Sequence, residues 1–134
     1  MSEKAFQNYL MKIMPHAYRT SLVNGGGFPD ILAIRNREHF FIELKMLLLG
    51  VTGNKKLKGL FKPSQVPWYF QYLKKGGESL YVMFKLHKTY GLLKVNEDFC
   101  RDIGILNYLD MKDGYKYQYK EYSTLKELID ANFS

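Results

Sequence analysis

The stretch Gly27-Phe28-Pro29-Asp30-Ile31-Leu32-Ala33-Ile34, followed after Arg35-Asn36-Arg37-Glu38 by His39-Phe40-Phe41-Ile42-Glu43-Leu44-Lys45, decides how this chain folds. The first run ends in β-branched and apolar residues, and the second alternates two sets of side chains. The polar residues between the two runs are typical of a turn. The pattern therefore predicts a β-hairpin whose second strand carries Glu43 and Lys45 on one face.

Helical and strand patterns surround this hairpin on both sides. Residues 3–14 have apolar side chains at helical spacing behind Ser2, a suitable N-cap. Downstream, Ser64 is a suitable N-cap for a second helix that ends at Gly76-Gly77. The order of elements predicts an α/β protein with a small mixed β-sheet flanked by helices. The other predicted elements are strands at 16–23, 79–86, 90–95 and 115–122 and helices at 65–75, 97–110 and 123–132.

Length and composition limit the class of protein. The chain has 134 residues, of which 46% are hydrophobic and 25% charged, and this predicts one domain over residues 1–134 with its own core. The sequence has no apolar run of about 18 residues and no leader-like start, so we expect a cytoplasmic, intracellular protein with no membrane partner. Cys100 is the single cysteine, so no internal disulfide is expected.

Positive charge is concentrated in one segment of the chain. The net charge is +7, and no acidic residue lies between Glu43 and Glu78. Lysines and aromatic residues alternate there, which suits contacts with phosphates and with unpaired bases. A solvated lysine-rich loop beside core aromatic residues is the other interpretation. The predicted nucleic-acid contacts are Lys55, Lys56, Lys58, Lys62, Trp68, Lys74 and Lys75.

Two carboxylates and a lysine are expected to converge at the open end of the hairpin. If the two strands pair, Asp30 lies level with Glu43, and Lys45 lies beside them. Mg²⁺ takes hard oxygen ligands, which both carboxylates and the carbonyl of Leu44 supply. Such a group suits metal-assisted hydrolysis of a phosphodiester, with Lys45 orienting water and neutralising developing charge. An ordinary hairpin with an exposed Glu-Lys pair is the alternative.

The residues around Asp30, Glu43 and Lys45 extend the pattern beyond these three side chains. The two quoted runs resemble the Pro-Asp and Glu-x-Lys signature of the PD-(D/E)XK nuclease superfamily. Residues 60–68, with Gln65 opening the second helix, are similar to the VRR-NUC and Holliday junction resolvase-like branches. Glu3 and Gln7, four apart on the first helix, resemble the N-terminal Glu and Gln pair of VRR-NUC domains.

The resemblance implies roles for individual residues. Asp30 and Glu43 would bind Mg²⁺, for which Mn²⁺ would substitute, and Lys45 would assist the attacking water. Glu3 would add a further carboxylate, and Gln65 would support the site or a phosphate. A restriction-endonuclease-like core of order α-β-β-β-α-β is also implied, over about residues 3–95, with a C-terminal extension over 96–134.

The function expected from this resemblance is that of a metal-dependent DNA endonuclease acting on branched or flapped DNA. Resolution of a four-way junction would require a homodimer with two sites. A compact nuclease of this length suits a phage, in which case it would act in the host cytoplasm. Two alternatives stay open: a catalytically inactive nucleic-acid-binding or accessory protein with the same fold, and a partner-directed nickase.

Overall fold

A computed structural model describes residues 1–20 and 27–134 of the chain. The helices are α1 (Glu3–Ile13), α2 (Gln65–Lys74), α3 (Glu97–Asp102), α4 (Tyr108–Asp113) and α5 (Leu125–Asn132). The strands are β1 (Ala17–Arg19), β2 (Ile31–Arg35), β3 (Glu38–Met46), β4 (Leu80–Lys85), β5 (Tyr90–Lys94) and β6 (Gln118–Tyr122). A short 3-10 helix, Lys58–Leu60, lies between β3 and α2.

The six strands form one mixed sheet in the order β1-β2-β3-β4-β5-β6. Strands β3 and β4 pair in parallel, and α2 lies on the connection between them. The other neighbouring strands pair antiparallel. The expected small mixed sheet flanked by helices is therefore confirmed, as is the order α-β-β-β-α-β from α1 to β4.

The turn between β2 and β3 is tight because two consecutive residues have left-handed backbone conformations. Asn36 has φ 51° and Arg37 has φ 69°, and Arg35 pairs directly with Glu38. Two such residues make the kind of turn whose twist matches a β-hairpin. This turn fixes the register in which Ile31 faces Ile42.

Buried side chains cover both faces of the sheet. On one face, α1 and α5 bury Phe6, Leu10 and Leu128 against inward side chains of β2 and β3 such as Ile31 and Ile42. On the other face, α2, α3 and α4 cover a second cluster built around Tyr69, Val82, Phe84, Phe99 and Met111. Because both faces are covered, the polar side chains of β3 that point toward α2 are buried as well.

The predicted helix at 97–110 is wrong as a single element. It is broken into α3 and α4 because the intervening chain pairs with a distant segment. Leu57 N donates to Leu106 O at 3.0 Å, and Tyr108 N donates to Lys55 O at 2.8 Å. Asn107 then caps α4 through its side chain, which accepts from Asp110 N.

The segment after Val95 forms part of both cores. Strand β6 pairs with β5, and α5 packs on the same sheet face as α1. The strand expected at 16–23 is limited to β1 in the part that the structure describes, and residues 21–23 of that prediction lie outside the described residues. Among residues 1–20 and 27–134, no helix has the length and hydropathy needed to cross a bilayer.

Candidate metal centre

Asp30 lies where the pairing between β2 and β3 ends. The last paired residues at that end are Ile31 and Ile42. Leu44 therefore lies beyond the part of β3 that pairs with β2. The carboxylate of Asp30 takes that place, since Leu44 N donates to Asp30 Oδ2 at 3.1 Å. The expectation that Asp30 comes level with Glu43 is consistent with this register.

Three carboxylates come together at this end of the hairpin. One oxygen from each of Glu3, Asp30 and Glu43 lies within 4.8 Å of the other two. Glu3 is in the first turn of α1, whose start is fixed by Ser2 Oγ accepting from Ala5 N at 3.1 Å. The N-terminus of α1 thus brings the exposed carboxylate of Glu3 close to the partly buried carboxylate of Asp30 and the buried carboxylate of Glu43.

A small cavity lies beside these carboxylates. Its volume is about 240 Å³, and Glu3, Lys4, Gln7, Asp30 and Leu44 line it. The N–H and carbonyl of one strand residue point to the same side of the strand. Since Leu44 N points to Asp30, the carbonyl of Leu44 is directed to that same side.

Glu43 is held between two polar partners and is only 1% exposed. Its Oε2 accepts from Gln65 Nε2 at 2.9 Å and lies 3.3 Å from Lys45 Nζ. Its Oε1 is buried, and no hydrogen-bond partner for it exists among the described residues. Burial, followed by the negative charge of Asp30, raises the pKa of Glu43 to about 8, although Lys45 opposes the rise.

Lys45 and Gln65 form the other half of this network. Lys45 Nζ donates to Gln65 Oε1 at 2.9 Å, and its charge lies 5.1 Å from the centroid of the Phe61 ring. The same Gln65 oxygen also accepts from Lys62 N at 2.9 Å. Ser64 is the N-cap residue of α2 as predicted, but its side chain makes no capping bond.

This donor set fits a hard divalent cation. Carboxylate oxygens and a backbone carbonyl are the ligands that Mg²⁺ and Mn²⁺ prefer. A buried carboxylate oxygen without a partner is costly, and a cation would supply the missing interaction. A cation would also offset the repulsion between Asp30 and Glu43 that helps to raise the pKa of Glu43.

The predicted nucleic-acid residues are divided among different places. Lys56, Lys58 and Lys62 line one pocket beside the start of α2. Trp68 and Lys75 line a different concave region, and Trp68 stacks on Tyr72 with ring centroids 5.4 Å apart. Lys74 forms an ion pair with Glu97 at 3.1 Å. Lys55 is exposed, and its carbonyl accepts from Tyr108 N.

The structure shows why residue 27 is a glycine, which the sequence only partly indicates. Its φ is +94°, and a Cβ built there would lie 2.1 Å from Ser64 O. The close approach that Gly27 permits is therefore between its backbone and the start of α2. Arg101 was not predicted as a functional residue, because it lies far outside the lysine-rich segment. In the structure it lines the pocket of Lys58 and Lys62 from the end of α3.

Comparison with known proteins gives a narrow result. No protein-family model matches the chain, and no curated protein matches it. Among solved structures, the chain is similar to Hjc, a Holliday junction resolvase from the archaeal hyperthermophile Archaeoglobus fulgidus. The sequence identity is 24%, the match covers 71% of this chain and 78% of that chain, and the TM-score is 0.46.

Proposed function

We propose that this protein is a metal-dependent DNA endonuclease of the PD-(D/E)XK type that hydrolyses phosphodiester bonds in branched DNA. The observation that carries the proposal is the convergence of Glu3, Asp30 and Glu43 within 4.8 Å. A carboxylate cluster alone is common on protein surfaces. Here it is joined to a buried lysine and to an oxygen of Glu43 that lacks a partner among the residues described.

Each residue has a defined part in this proposal. Asp30, Glu43 and Glu3 would hold Mg²⁺ together with the carbonyl of Leu44, and Mn²⁺ would substitute. The cation would make bound water more acidic and neutralise charge on the scissile phosphate. Lys45 Nζ lies 3.3 Å from Glu43 Oε2 and would stabilise negative charge that develops on the phosphate. Gln65 fixes the positions of Glu43 and Lys45 by bonding to both.

The choice of branched DNA rests on the sequence resemblance to the Holliday junction resolvase-like and VRR-NUC branches. Pairing two such sites across a four-way junction calls for a symmetric homodimer. The positive charge of the chain, +7 overall, supports a nucleic acid as the partner. The single six-stranded sheet, to which both ends of the described chain contribute, supports the assignment of residues 1–134 to one nuclease domain.

The test compares wild-type protein with Asp30→Asn and Glu43→Gln on labelled duplex, flap and four-way-junction DNA. We expect cleavage in Mg²⁺ and in Mn²⁺, none in EDTA, and none above background in either variant. Glu38→Gln is the matched control, because Glu38 is an exposed carboxylate on the same strand. Full cleavage by both site variants would refute the metal centre. Tight binding without cleavage under any metal would favour the accessory protein instead.

A further inference from the structure

A broad pocket opens beside the candidate metal centre, on the α2 side of the sheet. Its volume is about 970 Å³, at the upper end of the range of about 300–1,000 Å³ for small-molecule sites. Three parts of the chain form it: the 3-10 segment, the first two turns of α2 and the end of α3. The lining residues on which the argument depends are Lys56, Lys58, Phe61, Lys62, Phe70 and Arg101.

The lining combines an apolar interior with positive charge. Phe61 and Phe70 present aromatic side chains, and no acidic residue is among the lining residues that the structure describes. Lys58 and Lys62 are exposed and form no ion pair with any described residue, whereas Arg101 lies 3.5 Å from Asp98. A ligand that matches this chemistry has a flat apolar part and several negative charges.

Two lining residues of the pocket, Phe61 and Lys62, contact the polar network of the candidate metal centre. Phe61 lines the pocket, and its ring centroid lies 5.1 Å from Lys45 Nζ. Lys62 also lines it, and its backbone N–H donates to the Gln65 oxygen that accepts from Lys45. The pocket therefore borders the Lys45 and Gln65 half of the network around Glu43.

We propose that this pocket receives an unpaired nucleotide of the DNA substrate, with the base against Phe61 and Phe70 and the neighbouring phosphates of the strand at Lys56, Lys58 and Lys62. The inference rests on the proposed function and narrows its substrate to DNA with single-stranded nucleotides beside the scissile bond. A paired base has both faces covered inside the duplex, so only an unpaired base offers a free face to aromatic side chains. Base identity would matter little, because every base has such a face.

The test measures binding separately from cleavage, with Ca²⁺ in place of Mg²⁺. The probes are a fluorescein-labelled blunt duplex and the same duplex with a six-nucleotide single-stranded extension. We expect wild-type protein to bind the extended duplex about tenfold more tightly. Phe70→Ala should remove that preference, and Phe70→Tyr should keep it. Tyr115→Ala, at an exposed aromatic residue outside the pocket, is the matched control.

Lysine variants make the test independent of any loss of packing at Phe70. The triple variant Lys56→Gln, Lys58→Gln, Lys62→Gln changes exposed side chains only. The slope of log K against log salt concentration is about −0.7 for each single-strand phosphate contact. Loss of three contacts should therefore make the slope on the extended probe less steep by about 2. Lys88→Gln, at an exposed turn residue, should leave that slope unchanged.

The outcomes separate this inference from the proposed function. Metal-dependent cleavage with equal wild-type binding to both probes would overturn the inference and leave the nuclease proposal intact. A tenfold preference that Phe70→Ala removes, in a protein that never cleaves DNA, would support the pocket and refute the nuclease. A preference that survives both Phe70→Ala and the lysine variant would also overturn the inference.

Discussion

Gln65 donates through Nε2 to Glu43 Oε2 at 2.9 Å, and this bond joins the first residue of α2 to the middle of β3. Both side chains are buried, so the bond is shielded from water. The opposite end of the same amide accepts from Lys45. One glutamine therefore sets the distance between an acid and a base that lie two residues apart on a strand.

Replacing Gln65 should weaken both the fold and the site. Gln65→Leu keeps a similar volume but leaves Glu43 and Lys45 each short of a buried partner, and we expect a loss of about 1–3 kcal/mol in the free energy of unfolding. Urea denaturation measures this loss. Gln71→Leu, at an exposed position on the same helix, should stay within about 0.5 kcal/mol of wild type. An unchanged midpoint for Gln65→Leu would contradict the network.

Gly27 is expected to tolerate no side chain. In Gly27→Ala the new Cβ would meet Ser64 O at 2.1 Å, so the start of α2 must move. We predict a loss of at least about 3 kcal/mol in the free energy of unfolding, from overpacking added to backbone strain. Gly53→Ala is the control, since Gly53 has φ +68° and a Cβ there has open space among the described residues. It should lose only about 1–2 kcal/mol, the cost of the left-handed backbone alone.

The metal-free protein should lose stability as pH rises. Burial and Asp30 raise the pKa of Glu43 from 4.5 to about 8, so between those values the folded state binds a proton that the unfolded state releases. The penalty of burying the charged carboxylate is absent below about pH 4.5, grows with pH, and is complete above about pH 8. Thermal unfolding in EDTA from pH 5 to pH 9 measures this trend.

Glu43→Gln supplies the reference for that pH series. The amide does not titrate, so the difference in Tm between the variant and wild type should increase with pH in favour of the variant. Mg²⁺ should raise the wild-type Tm more at pH 8 than at pH 6, because a cation competes with the proton for the same carboxylate. Parallel Tm curves for the two proteins would show that Glu43 does not titrate in this range.

Cys100 should react slowly with alkylating reagents. Burial, followed by the charge of Glu97, raises the pKa of its thiol to about 11, which lowers the thiolate fraction at pH 8. A more basic thiolate is a better nucleophile and recovers part of that loss, so we predict modification about tenfold slower than for a free cysteine. Iodoacetamide labelling followed by mass spectrometry gives the rate. Labelling in urea should restore the free-cysteine rate.

The hairpin and its two carboxylates could be predicted because the information is local. Alternation along β3 fixes which side chains share a face, and one short turn fixes the register that places Asp30 near Glu43. The break between α3 and α4 could not, since it depends on bonds from Leu57 and Lys55 to a segment about fifty residues away. The close contact between Gly27 and Ser64 could not be predicted for the same reason, because the two residues meet only after α2 has packed.

The packing of α5 has a consequence for how the chain folds during synthesis. Asp30, Glu43, Lys45 and Gln65 all leave the ribosome before residues 125–133, which complete the cover that α1 begins on the sheet face behind them. Phe133 then packs edge-on against Phe40 and Tyr81, with ring centroids 5.5 and 5.1 Å apart. A nascent chain that already carries every proposed ligand would still expose apolar surface, and such intermediates are the species that chaperones bind.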